Sequence, residues 1–203
     1  MSAVFDFDLV SKRPAALVIT ADLKPLTSKA ADKSVRPARA AAFDAGEQVI
    51  IGVISDTHGL LRPEALAALR GSDHIIHAGD IGDPAILKSL GEIAPVAAIR
   101  GNVDRDPWAK KIPATNVLGV AGVSIYILHN LNELDLKPEA AGFQVVVSGH
   151  THKHKSETKN GVLYFNPGSA GPRRFRLPVT VGRLRLQDRK VSAEIIEILP
   201  GAD

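Results

Sequence analysis

Five times along this chain a short apolar, β-branched run ends in a residue able to bind a metal ion. Val49 to Ser55 is followed by Asp56-Thr57-His58, His74 to Ala78 by Gly79-Asp80, and Val96 to Arg100 by Gly101-Asn102. Val123 to Leu128 is followed by His129, and Phe143 to Val147 by Ser148-Gly149-His150-Thr151-His152. Runs of this length and composition read as strands buried on both faces, as in a parallel sheet. Ligands of such sheets bind beyond the carboxyl ends of the strands, which is where these polar residues fall. The pattern therefore predicts five strand ends gathered around one site.

The segments between the runs complete the fold expectation. Pro63 stands at the start of a helical pattern over Glu64 to Arg70 that Gly71 ends, and Asp83-Pro84 opens a second helix to about Leu90. Strand, loop and helix alternating in this way predict βαβ units. After Asn102 the helical signal weakens. Thr115 to Val120 and Val123 to Leu128 flank an Ala121-Gly122 turn, and Pro138 to Ala141 reads as a short helix. Lys159-Asn160-Gly161 joins Lys155–Thr158 to Val162–Phe165 as a hairpin, and Val179 to Leu186 and Val191 to Ile198 alternate about the turn at residues 187–190. The expected class is α/β: a mainly parallel sheet, then antiparallel hairpins, packed as a two-sheet β-sandwich with helices on at least the outer face of the first sheet.

Residues 1–47 differ from the rest. They are rich in Ala, Lys, Arg and Ser, are broken by Pro14, Pro25 and Pro37, and contain no histidine. We expect a poorly ordered extension, its Ala15–Thr20 patch a candidate edge strand, before a domain at residues 48–200. Lys12 and Arg13 come too late for a signal peptide, and Asp6, Asp8 and Asp22 are unlike a transit peptide. The longest apolar run, Leu118 to Leu128, is about half a membrane span, so the expectation is a cytoplasmic protein with no membrane partner. A net charge of +3 from mixed residues offers no clear basic groove, which disfavours nucleic acid as a partner; the oligomeric state stays open.

With no cysteine in the chain, any metal must sit on His, Asp, Glu or Asn. All seven histidines lie between His58 and His154, and the steps from Asp56 to Asp80, Asn102, His129 and His150 are each 21 to 27 residues, about one supersecondary unit. Asp56, His58, Asp80, Asn102, His129, His150 and His152 are more donors than one ion needs, whereas two ions sharing a carboxylate would use them all. Imidazole, carboxylate and one amide oxygen suit manganese first, with zinc, iron or nickel as alternatives, and fit neither a calcium cage nor a thiolate site.

The ordered motifs Asp56-x-His58, Gly79-Asp80, Gly101-Asn102-x-Asp104, His129 and Gly149-His150-x-His152 resemble those of the calcineurin-like metallophosphoesterase superfamily. Asn166-Pro167-Gly168-Ser169 and Pro172-Arg173 are similar to its small single-domain phosphodiesterase branch, related to vacuolar protein sorting 29, and the resemblance covers about Gln48 to Leu199. It implies that Asp56, His58 and His152 hold one divalent ion, that Asn102, His129 and His150 hold a second, and that Asp80 bridges them. Asp80, Asn102 and His129 would take the catalytic roles, in hydrolysis of a small phosphate ester, a phosphodiester above all, by a hydroxide between the ions. The implied fold is a two-sheet sandwich flanked by helices. Two departures stand out: Val103 lies where many members carry a histidine that protonates the leaving group, and Asn130 follows His129 where glycine is usual. The general acid is thus unassigned; His154 and His77 are candidates, although an exposed His154 and a packed His77 are the simpler readings, and His74 reads as structural. Arg173 and Arg174 are candidates for gripping a phosphate. The alternative function is a phosphoesterase-fold scaffold that binds partner proteins, against which the intact ligand set favours the enzyme.

Overall fold

The structure, a computed structural model, describes residues 48–201; the extension expected over residues 1–47 and its Ala15–Thr20 patch lie outside the described residues. Two five-stranded sheets are stacked face to face. The first contains β1 (Val49–Ile54), β2 (His74–Ala78), β3 (Val96–Ile99), β9 (Val179–Gln187) and β10 (Lys190–Leu199), in the order β10-β9-β1-β2-β3. The continuous β-branched runs behave as their composition requires: β1 and β2 are parallel with Ile51 opposite His74, β2 and β3 are parallel with Ile75 opposite Val96, and β2 is buried at every position.

Helices α1 (Pro63–Leu69) and α2 (Pro84–Gly91) cross the outer face of this sheet, each with proline in its first turn, where no N–H is missed. Asp83 caps α2 by accepting from the Ala85 N–H at 2.8 Å. Ala65, Leu69, Ile86 and Leu90 pack on Ile54 and Ile75. The approach of α1 is close because β1 carries Gly52 there: a Cβ would stand 2.6 Å from Leu69 Cδ2.

The second sheet has the order β4-β5-β6-β8-β7, built from β4 (Thr115–Val120), β5 (Val123–Leu128), β6 (Val145–Val147), β7 (Lys155–Lys159) and β8 (Val162–Asn166). Ile51, Val53, Ile76 and Ile99 of the first sheet meet Ile125, Ile127, Val147 and Phe165 of the second in the main core. Each fully buried side chain of this size contributes roughly 1.5–3 kcal/mol relative to exposure.

The sequence expectations are corrected at three points. The C-terminal hairpin joins the first sheet, with β9 antiparallel to β1 and Val49 opposite Leu186, so the antiparallel hairpins do not make up the second sheet alone. The second sheet is itself mixed, since β5, β6 and β8 run parallel. Pro138 to Ala141 forms turns in place of a helix: the Ala140 and Ala141 N–H groups share the Lys137 carbonyl, and Gly142 at φ 79° reverses the chain. With the one-turn 3-10 helix Leu131–Glu133, this segment covers the outer face of the second sheet, where Tyr126, Val146 and Val162 pack against Leu134, Leu136 and Phe143. No helix among the described residues is long and apolar enough to cross a membrane.

Candidate metal centre

The ends of β1, β2 and β3 in one sheet and of β5 and β6 in the other open onto the same edge of the sandwich, and the loops there are tied to one another. The Asp56 N–H donates to the Gly79 carbonyl at 3.0 Å, that of His58 to Asp80 at 2.9 Å, and that of Gly149 to His129 at 2.9 Å. Asp56, His58, Asp80, His150 and His152 all have positive φ, between 45° and 68°. For side chains other than glycine this region costs of order 1 kcal/mol or more per residue, and it persists only where neighbouring structure imposes it. Here it turns five side chains off the strand axes toward one another. Two glycines leave the room: a Cβ on Gly101 would run into the Asp80 carboxylate, and one on Gly149 would strike the Ser55 hydroxyl and Asp56 Oδ2.

One group of donors comprises Asp56, His58 and His152, with donor atoms that all lie within 4.8 Å of one another. His58 Nε2 faces His152 Nε2 at 3.2 Å, and His152 Nε2 is 3.4 Å from Asp56 Oδ1. Burial lowers both imidazoles from their ordinary value, with the positive charge of Arg174 adding to the effect, and His152 is brought to about 4; both therefore present neutral nitrogens. Asp56 is fully buried and its carboxyl is pushed up to about 6 by that burial, against the Ser55 hydroxyl that donates to it.

A second group comprises Asp56, Asp80 and His129. His129 Nδ1 lies 2.7 Å from the Ala78 carbonyl, an acceptor only, so Nδ1 carries the proton and Nε2 is turned to the carboxylates, 3.3 Å from Asp80 Oδ2 and 4.0 Å from Asp56 Oδ1. Burial alone would depress this imidazole, but Asp80 and the Ala78 carbonyl outweigh it and raise its pKa. Burial would likewise raise the Asp80 carboxyl, but His129 and the Val103 N–H, which donates to Oδ1 at 3.0 Å, hold it below the usual carboxylate range. Asp80 Oδ2 is also 3.8 Å from His58 Nε2 and so lies between the two groups. Asn102 and His150 stand at the exposed rim, where His150 Nδ1 donates to Asn102 Oδ1 at 3.0 Å and the His150 ring meets that of His129 edge-on at 5.2 Å. All seven predicted ligands are thus gathered, five in the two tight groups and two beside them. The donor set fits divalent cations: two carboxylates and three imidazoles converge, and buried His129 Nε2 has no hydrogen-bond partner.

Several side chains that orient these donors were not singled out as site residues by the sequence. Asp104 accepts from the N–H groups of Ile81, Gly82 and Gly101 at 2.8–3.0 Å, binding the loop after β2 to the loop after β3. Asn166 donates to the Gly149 carbonyl at 2.7 Å and to Thr151 Oγ1, and Ser169 donates to the Asp56 carbonyl. Thr57 Oγ1 donates to the Ile81 carbonyl and so accepts a hydrogen bond from the His77 Nε2–H at 2.9 Å. The sequence clue to Asp104, Asn166 and Ser169 was their place inside the motifs that carry the family resemblance.

An open cleft of about 340 Å³ leads to these donors, with Val103, Lys153, Arg174, Phe175 and Leu177 on its walls. His77 is fully buried and cannot reach a substrate, while His154 is exposed and outside the cleft wall, so neither histidine meets the geometric requirement for a general acid. Of the two arginines singled out, Arg174 lines the cleft and Arg173 does not. Asn130 has a local task, capping the Leu131–Glu133 turn by accepting from the Asn132 N–H at 3.1 Å.

Comparison with known proteins agrees with this geometry. The chain is 34% identical over 160 residues to the "Probable metallophosphoesterase" of Methanothermobacter thermautotrophicus, covering 73% of this chain and 92% of that protein. It is 26% identical over 166 residues to a phosphodiesterase of Methanocaldococcus jannaschii, covering 72% of this chain and 99% of that one. Vacuolar protein sorting 29 from Cryptosporidium parvum shares the fold with a TM-score of 0.59 at 20% identity, over 74% of this chain and 97% of that one. Residues 49–189 match the calcineurin-like phosphoesterase superfamily domain, and the chain belongs to that family.

Proposed function

We propose that this protein hydrolyses phosphate esters, phosphodiesters above all, with two divalent cations held at the strand ends. The observation that carries the reading is the meeting of two donor groups at Asp56, with Asp80 Oδ2 between His58 and His129. Asp56, His58 and His152 are assigned to one cation, Asn102, His129 and His150 to the other, and Asp80 to both. Such cations supply charge neutralisation at the phosphoryl oxygens and an activated water. The chain does the rest. Asp80 is kept ionised by its surroundings, His129 is held in one tautomer by the Ala78 carbonyl, and the Asn102 amide is oriented by His150. Arg174 brings positive charge to the cleft, suited to a phosphate oxygen. Val103 has no proton to give a leaving oxygen. The name of the M. jannaschii relative supports a diester substrate.

The test combines metal analysis of the purified protein with rates on bis(p-nitrophenyl) phosphate and p-nitrophenyl phosphate in Mn²⁺. Two equivalents of metal and faster turnover of the diester are expected. Folded, metal-loaded protein that turns over neither ester would instead identify a phosphoesterase-fold binding protein.

A further inference from the structure

Four large apolar side chains are prominently exposed among the described residues, and two of them, Val103 at 44% and Phe175 at 91%, line the cleft over the metal centre. Phe175 is the more telling. Its backbone has φ 53°, a conformation that a bulky residue rarely adopts, and its ring is almost wholly in solvent, so packing does not compensate the strain. The turn that imposes this conformation is closed by the Leu177 N–H donating to the Arg174 carbonyl at 3.1 Å. That turn carries a guanidinium, an aromatic face and a half-buried leucine to one wall of the cleft, and Val103 extends the apolar surface from the loop after β3.

We propose that Phe175 and Arg174 form a substrate subsite for a flat aromatic group attached to the phosphate, the ring stacking on Phe175 while Arg174 takes a phosphate oxygen. An aromatic face is the efficient partner for a planar ring, and a cation beside it suits an anion carried by that ring. Lys153, also on the cleft wall, keeps the rim cationic. The inference rests on the phosphoesterase reading of the metal centre and names its substrate class: esters bearing an aryl group or a nucleobase, in preference to purely aliphatic ones.

Isothermal titration of the full chain loaded with Mn²⁺ tests it, with thymidine 5′-monophosphate, phenyl phosphate and ribose 5-phosphate as ligands. The ring-bearing ligands should bind at least about fivefold more tightly than ribose 5-phosphate, since stacking of one base is worth roughly 5- to 150-fold. Tighter binding of phenyl phosphate and of the nucleotide alike would mark a general aryl face; tighter binding of the nucleotide alone would mark a nucleobase site. Phe175→Leu should shrink the preference to less than about threefold, and Phe175→Tyr should retain it. Phe175→Gly should lose the preference yet melt no lower than the wild type, because glycine accepts the positive φ without strain. Equal affinity for all three phosphates, a preference that survives Phe175→Leu, or a lowered melting point in Phe175→Gly would each overturn the proposal. If none of the three binds the metal-loaded protein, the phosphoesterase reading fails with it.

Discussion

Asp80 divides its two oxygens between tasks: Oδ1 is held by the Val103 N–H, while Oδ2 lies 3.3 Å from His129 Nε2 and 3.8 Å from His58 Nε2. Asp80→Asn keeps the shape and the first hydrogen bond but removes the charge that two cations would share. We expect a loss of at least about 10²-fold in turnover and fewer bound ions, with an unchanged circular dichroism spectrum. Near wild-type rates in added metal would overturn the shared assignment. His77 gives a second prediction, one for stability. It is fully buried with its pKa lowered to about 4, chiefly by burial, whereas the unfolded chain has an ordinary histidine value of 6.5. Between those values the unfolded state binds the proton and the folded state does not, so stability falls as pH drops from about 6.5 toward 4, by up to about 3 kcal/mol. His77→Gln should lessen that loss. Urea unfolding of both metal-free proteins at pH 7 and pH 5 isolates the contribution, since the other titrating groups are common to the pair; equal losses would refute it.

At the scale of the elements, the polar sequence signals were legible where a residue type has one dominant use. Proline and aspartate at the helix starts, Asn160-Gly161 at the hairpin and β-branched runs in the parallel strands all did what their local chemistry favours. That Asp56, His58, Asp80, Asn102, His129, His150 and His152 would gather at the strand ends was legible for the same reason. What stayed hidden was decided by tertiary partners. Nothing local to Val179–Gln187 states that it pairs with β1, and nothing in Asp104 states that it accepts from three N–H groups on two loops. The second point bears on Val103. A histidine introduced there would find most of the acceptor sites of Asp104 already taken by those N–H groups. Asp104→Ala should destabilise the protein by roughly 2–4 kcal/mol, because buried donors lose their acceptor. It should also weaken metal binding, since the loops carrying Asp80 and Asn102 are no longer fastened together. Denaturant titration and metal content measure the two effects, and a variant as stable as the wild type would show that the bracket is dispensable.

For the molecule as a whole, the candidate metal centre lies across the seam between the sheets. Asp56, His58, Asp80 and Asn102 follow strands of the first sheet, and His129, His150 and His152 follow strands of the second. Protein contacts already span the seam there: the His150 N–H donates to the Asp56 carboxylate at 3.1–3.2 Å, and His129 to the Ala78 carbonyl at 2.7 Å. The same edge holds two buried carboxylates close together, one of them pushed up to about 6, and two imidazoles whose Nε2 atoms face each other at 3.2 Å. Ions that bound only the folded form would relieve this and link the sheets, and mass action would set the size of the effect. At a free metal concentration 100 times the dissociation constant, the stabilisation is about 2.7 kcal/mol. For a domain of this size that corresponds to a rise in melting temperature of roughly 5–11 °C. Calorimetry in excess Mn²⁺ and in EDTA should show this difference in the wild type and a smaller one in Asp80→Asn. Because the ligands come from both sheets, His129→Ala should reduce the increment as well, although it leaves every donor of the first sheet in place. Equal melting temperatures in metal and chelator, with ions demonstrably bound, would mean that the two sheets meet no better around the cations than without them, and the view of the centre as a fastening between sheets would fall.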